Sequence, residues 1–217
     1  MFRAIFVTQW KWTRGVILPA ACLTFALPIL SLRVAERAFA EMNARTLLAT
    51  IQSFGIFYGL SAALIGLLVA AMAWAPDHTG RHVYALSLPV ERWRYVALRF
   101  VAGAATLGAP ALTLLLGAVV AVSTVDVPPS LQAHPIALAI RFALATLLAY
   151  GVFFSISSGT KRTAGIIFGV LAAMMLAEVV FDVVGVPISP FLRLVELLMT
   201  TPGTFGVFNN RWMLIDV

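Results

Sequence analysis

Residues 77–99 read DHTGRHVYALSLPVERWRYVALR, and the way this stretch divides the chain decides the fold. It is the longest polar interruption in an otherwise apolar sequence. It holds four of the fifteen basic residues, Arg81, Arg92, Arg94 and Arg99, and stands between two long apolar runs. Gly80 breaks any helix arriving from Trp74. Pro89 carries a fixed φ suited to the first turn of a new helix. Beyond it Glu91, Arg92, Arg94 and Arg99 are interleaved with Val90, Trp93, Val96 and Ala97, which predicts a short surface helix feeding into a membrane span.

Working outward, the flanking runs are residues 46–75 and 100–125. Three more apolar runs follow the same rule of length, at 16–32, 142–160 and 163–186. Each meets or approaches the ~20 residues that cross a ~30 Å hydrocarbon core. The chain is 61% hydrophobic and 11% charged, with mean hydropathy +0.98. Soluble domains carry about 25% charged residues. The expected fold class is therefore all-α: a polytopic integral membrane helical bundle of about five spans, one transmembrane domain over 1–217. Residues 2–14 form an N-terminal amphipathic interfacial helix, and short outer helices lie at the C-terminal end.

The net charge of +6 raises a nucleic-acid reading. The basic residues are scattered between apolar runs instead of gathered on one face, so the positive-inside bias accounts for them and no nucleic-acid partner is expected. In residues 2–14, Phe2, Ile5, Phe6 and Trp12 fall on one arc and Arg3, Lys11 and Arg14 on the other, so the segment lies in the headgroup region. With the N-terminus cytoplasmic, the inner set is Arg3, Lys11, Arg14, Arg81, Arg92, Arg94, Arg99, Lys161 and Arg162. The outer set is Arg33, Arg37, Arg45, Arg141, Arg193 and Arg211. Residues 123–135 have no Lys or Arg, whereas 77–99 has four. That orientation is the expected one. The first apolar run carries Pro19 and Pro28 and leads to Arg33 instead of a small-residue cleavage site, so no cleavable signal peptide is expected. The single cysteine, Cys22, reads as a buried inert thiol.

Catalytic motifs are sparse. The nearest approach to a phosphate-binding loop, Gly159 to Thr163, lacks the Gly-Lys-Ser/Thr core. Any nucleotide hydrolysis therefore belongs to another chain, and this one is not expected to be an enzyme. His78 and His82 are four apart, but Gly80 intervenes and no third ligand is near in sequence; solvated loop histidines are expected, with no metal and no cofactor. Glu178 and Asp182 sit four apart inside the fifth run. Ionisable groups at that depth are costly, so they face a partner or a water-filled path. One reading satisfies them with water, Arg141 or Arg193; the other makes Glu178, Asp182 and Arg141 an intramembrane polar site on an exit path. Gly55-xxx-Gly59 and Gly165-xxx-Gly169 allow close helix approach, and Pro110 is expected to kink the third span. Residues 187–217 contain no span. They read as a re-entrant or interfacial segment, broken at Pro202-Gly203 and again at Asn209-Asn210-Arg211.

The layout resembles the permease subunits of ABC-2 type transporters. The resemblance rests on the N-terminal amphipathic helix, spans one and two, and the inner loop Asp77…Gly80…Leu86-Ser-Leu-Pro89-Val-Glu-Arg92…Arg99. The family has six spans with two short outer helices between the fifth and sixth; Pro187–Asn210 is similar to that pair, and the sixth span is not found here. The acidic side of the loop is thin, with only Asp77 and Glu91. The resemblance implies an ATP-driven exporter of the bacterial inner membrane, built from two permeases, identical or different, and two separate ABC ATPase subunits. Leu86, Leu88, Pro89, Val90, Glu91, Arg92, Trp93 and Arg94 would dock on the ATPase: apolar anchors flanked by cations that suit acids on a groove rim. Two other classes stand beside it. One is a non-transporting membrane scaffold or accessory subunit. The other is a membrane-embedded enzyme using Glu178 and Asp182, for which no second cluster on another span completes a site.

Overall fold

The computed structural model describes residues 2–39, 44–79, 91–125, 131–158, 161–184, 189–199, 206–208, 212 and 214–216. These residues are almost entirely helical: α1 (Phe2–Phe39), α2 (Ala44–Thr79), α3 (Arg92–Ser123), α4 (Pro135–Ser158), α5 (Lys161–Val184) and α6 (Pro190–Met199). Four are long and apolar enough to cross a membrane, over Phe2–Ala35, Ile51–Ala75, Arg92–Ser123 and Pro135–Ser158. The chain forms two compact units, one of Met1–Phe154 with Asn210–Val217 and one of Ser155–Asn209.

In the first unit many large apolar side chains point outward: Leu18, Leu23 and Leu30 on α1, Ile56, Leu60 and Leu64 on α2, Leu112 and Leu116 on α3, Ile136, Ile140 and Leu144 on α4. Inside, Ile17, Ile51, Leu114 and Phe142 are interspersed with smaller or hydroxyl-bearing residues such as Ala20, Thr24, Ser31, Ala62, Ala102, Thr106, Ala118 and Thr146. An apolar outer surface suits a bundle whose helices are long and apolar enough to cross a membrane, and the small residues inside let helix backbones approach. Gly117 on α3 lies directly beneath the Phe25 carbonyl of α1, and a methyl group there would collide with it. Gly66 on α2 does the same for α4; a Cβ would stand 2.7 Å from the Tyr150 backbone nitrogen and 2.8 Å from Ala149 Cβ. Hydroxyls cross two seams, Thr24 to Thr113 at 2.8 Å between α1 and α3 and Ser31 to Tyr58 at 3.2 Å between α1 and α2. Gln9 and Gly103 meet near the starts of α1 and α3, while Trp74 and Phe154 meet near the ends of α2 and α4. So α1 and α3 run one way through the unit and α2 and α4 the other.

Two sequence expectations change. The separate interfacial helix 2–14 and span 16–32 form one unbroken helix. Gly15 alone costs about 1 kcal/mol in a helix interior, too little to end one, and the Gln9, Thr13 and Ile17 face continues into the buried side of the bundle. Cys22 is not buried: it is exposed, on the side of α1 away from the Ala20, Thr24, Leu27, Ser31 stripe. The last described residues pair with the stretch before α4. β1 (Gln132–Ala133) pairs antiparallel with β2 (Ile215–Asp216), with Ala133 opposite Ile215, and the His134 N–H donates to the Leu214 carbonyl at 2.8 Å. Trp212, Leu214 and Ile215 are buried. The Trp212 ring stacks on Tyr58 at 6.3 Å, and its Cβ is 3.2 Å from where a Cβ on Gly55 would be. The Gly55 surface read as a helix seam therefore receives an indole. Pro110 lies buried inside α3, which continues through it.

In the second unit α6 packs against α5. Glu178 on α5 reaches the first turn of α6, where its Oε2 accepts the Leu192 N–H at 3.0 Å. Ser189 precedes that turn and its carbonyl accepts the Arg193 N–H at 3.0 Å.

Candidate functional site

The start of α3 has two faces. Glu91 precedes the helix with extended backbone, and its carbonyl accepts the Tyr95 N–H at 3.2 Å, the first helical bond. Glu91, Arg92, Trp93 and Arg94 are all exposed, Trp93 by 66%. The Arg94 Nε–Glu91 Oε2 pair at 3.0 Å is 61% exposed on both sides, so it contributes little to stability. Arg94 also lies over the Trp93 ring at 5.3 Å, which steadies an apolar plate flanked by cations at the surface.

One residue further on the helix turns inward. Tyr95 and Arg99, a helical turn apart, are both buried. The Arg99 guanidinium donates to the Tyr95 hydroxyl and stands over two rings, Trp74 of α2 at 5.1 Å and Tyr95 at 5.4 Å. A buried guanidinium is tolerated where it is hydrogen-bonded and faced by aromatic rings. Around it lies an aromatic cluster. Trp74 meets Phe154 at 5.1 Å, and Phe100 meets Tyr150 at 5.2 Å and Phe154 at 5.3 Å. The Tyr150 hydroxyl donates to the Phe100 carbonyl at 3.3 Å. It sits in a notch that Gly103 leaves on α3, where a Cβ would also come within 2.7 Å of Gln9 Nε2 on α1. One end of the unit thus joins all four helices through Gln9, Trp74, Arg99 and Tyr150.

Of the residues expected to dock a partner, Glu91, Arg92, Trp93 and Arg94 form this exposed face, while Leu86, Leu88, Pro89 and Val90 lie outside the described residues. The side chains of Asp77 and His78 also lie outside them, as does His82. Glu178, Asp182 and Arg141 do not share an element. Glu178 is engaged with the Leu192 N–H and Asp182 is exposed, both on α5, whereas Arg141 is half-buried on α4 in the first unit. The buried cluster went unread in the sequence because Arg99 was counted only as a basic residue opening a span. The available signal was Trp74, Tyr95, Phe100, Tyr150 and Phe154 gathering at span ends, where aromatic side chains concentrate in membrane proteins.

Fold and site define a helical membrane protein. Comparison with family models, with curated proteins and with solved structures returns no match.

Proposed function

We propose that this chain is the transmembrane permease subunit of an ATP-driven ABC-2 type transporter, acting as an exporter. In this reading a separate ABC ATPase docks on residues 77–99, the N-terminus is on the cytoplasmic side of a bacterial inner membrane, and α5 is a fifth span. A second permease chain, identical or different, completes the membrane part. What supports the reading is the two-sided start of α3. Trp93, Arg92 and Arg94 offer a surface plate with cations, while Tyr95 and Arg99, on the next turn, are held by the bundle. A partner that moves the plate moves a span, and no nucleotide hydrolysis is required of this chain. Exposed tryptophan with flanking arginines is the composition of an interface anchor.

Purification in mild detergent followed by mass spectrometry tests it. The expected result is a stoichiometric subunit carrying a phosphate-binding loop, lost from the Arg92→Ala/Trp93→Ala variant while membrane insertion is unchanged. A complex with no nucleotide-binding chain overturns the reading in favour of a non-transporting scaffold or accessory subunit. An unaltered partner and unaltered transport in the variant remove the docking role of this face.

A further inference from the structure

Two buried side-chain donors at the end of the bundle that carries the start of α3 are left short of acceptors. Gln9 is 6% exposed and Trp74 is 4% exposed. Trp74 Nε1 has no hydrogen-bond partner, and Gln9 Nε2, which carries two N–H groups, has only the Tyr150 hydroxyl beside it to accept one of them. Buried donors are nearly always paired, and leaving one unmade is destabilising. Finding two of them on different helices, beside one buried guanidinium, points to a shared acceptor supplied from outside the chain.

The chemistry of that acceptor follows from the donors. An indole nitrogen only donates, a carboxamide nitrogen only donates, and a guanidinium presents five N–H groups and no acceptor. Arg99 is 7% exposed and stands over the Trp74 ring at 5.1 Å. The Gln9 nitrogen lies at the Gly103 notch, one turn beyond Arg99 on α3. Donors on three helices call for a ligand with several acceptor oxygens on one atom and negative charge, which a phosphate group provides. Depth agrees. Trp10 and Trp12 follow Gln9 on α1 and are exposed, with Lys11 between them. Exposed tryptophans and a lysine at one level of a spanning helix mark the headgroup region of a bilayer.

We propose that Gln9, Trp74 and Arg99 form a phosphate-binding site at headgroup depth, the Gln9 and Trp74 N–H groups and the Arg99 guanidinium closing on one oxyanion. The oxyanion is either a phospholipid headgroup or free inorganic phosphate, and the site is independent of what drives the chain.

The test is thermal unfolding of the full chain, delipidated in a neutral detergent. It is titrated with inorganic phosphate against matched chloride, and with phosphatidylglycerol against diacylglycerol. The partner variant is Gln9→Leu/Trp74→Phe, which keeps volume and ring and deletes both donors. The wild-type midpoint rises with a phosphate-bearing ligand and not with its control. The variant needs about tenfold more ligand, or greater, for half the effect. Without ligand the variant is at least as stable as wild type, because its unmade donors are gone. A response to phosphatidylglycerol alone identifies the headgroup, and a response to inorganic phosphate alone identifies the free ion. Equal shifts in wild type and variant, or no shift in wild type with either ligand, overturn the site. If the double variant unfolds on extraction, each single substitution carries the same comparison.

Discussion

Replacing Gly117 by alanine drives a methyl group into the Phe25 carbonyl, a backbone atom that a side-chain rotation cannot move aside. Overpacking of this kind costs about 1–3 kcal/mol, and here it falls on the seam between α1 and α3. Gly108, nine residues earlier on α3, has nothing within 4 Å of its would-be Cβ. The same substitution there is expected to be neutral or to stabilise by roughly 0.5–1 kcal/mol through helix propensity. Thermal unfolding in detergent separates the two: Gly117→Ala lowers the midpoint and Gly108→Ala does not. If both behave alike, the close α1–α3 approach is wrong. Glu178 offers a second residue-scale test. It holds the first turn of α6 at Leu192, so Glu178→Ala removes an acceptor from a helix N-terminus, where such bonds are worth about 0.5–2 kcal/mol. Faster amide exchange over Pro190–Met199, with α1–α4 unchanged, is the expected readout.

At the scale of elements, the segment ending in β2 behaves as a clip. Two strand residues are too few to stand alone, so its position depends on Trp212 between Gly55 and Tyr58. Trp212→Ala removes a large buried ring, at about 3–5 kcal/mol for a well-packed site. Hydrogen exchange is expected to rise at His134, whose N–H is held by the Leu214 carbonyl, while the α1–α3 seam keeps its protection. Here the sequence was legible only in part. The long apolar helices were readable because the length needed to cross a bilayer leaves a plain signature in composition. The clip was not, because a strand of two residues has no period and its partner lies more than eighty positions away. Glu178 was recognised as a polar group that needed a partner. Its partner proved to be a backbone N–H of the following helix, which residue type does not encode.

For the whole molecule, the antiparallel run of the helices separates two ends of the first unit. Trp93 is exposed at the end that carries Gln9 and Arg99, and His134 is exposed at the other. In a Cys22→Ser background, Trp93→Cys and His134→Cys are expected to react with an impermeant maleimide from opposite sides of the membrane. Trp93→Cys should react from the cytoplasmic side under the proposed orientation. Labelling of both from one side excludes the arrangement of spans, and exchanged sides exclude only the orientation. Of the candidate site, the exposed face at Arg92–Arg94 was legible as charge and aromatic character beside a proline. The buried cluster was not, since Gln9, Trp74, Arg99 and Tyr150 come from four helices and meet only through packing.

The parallel pair α1 and α3 also bears on how the protein is made. Thr24 and Thr113 are 89 residues apart, so at ordinary synthesis rates α1 precedes its partner by roughly 4 to 18 seconds. Through that interval the seam of α1 has no α3 to meet. The Thr24 hydroxyl can wait without penalty because it already donates to the Ala20 carbonyl at 2.9 Å, and Ser31 likewise donates to Pro28 at 2.8 Å. Helix α1 can therefore enter the bilayer with these hydroxyls internally satisfied, and it keeps those bonds while adding contacts across the bundle once the ribosome has delivered α3.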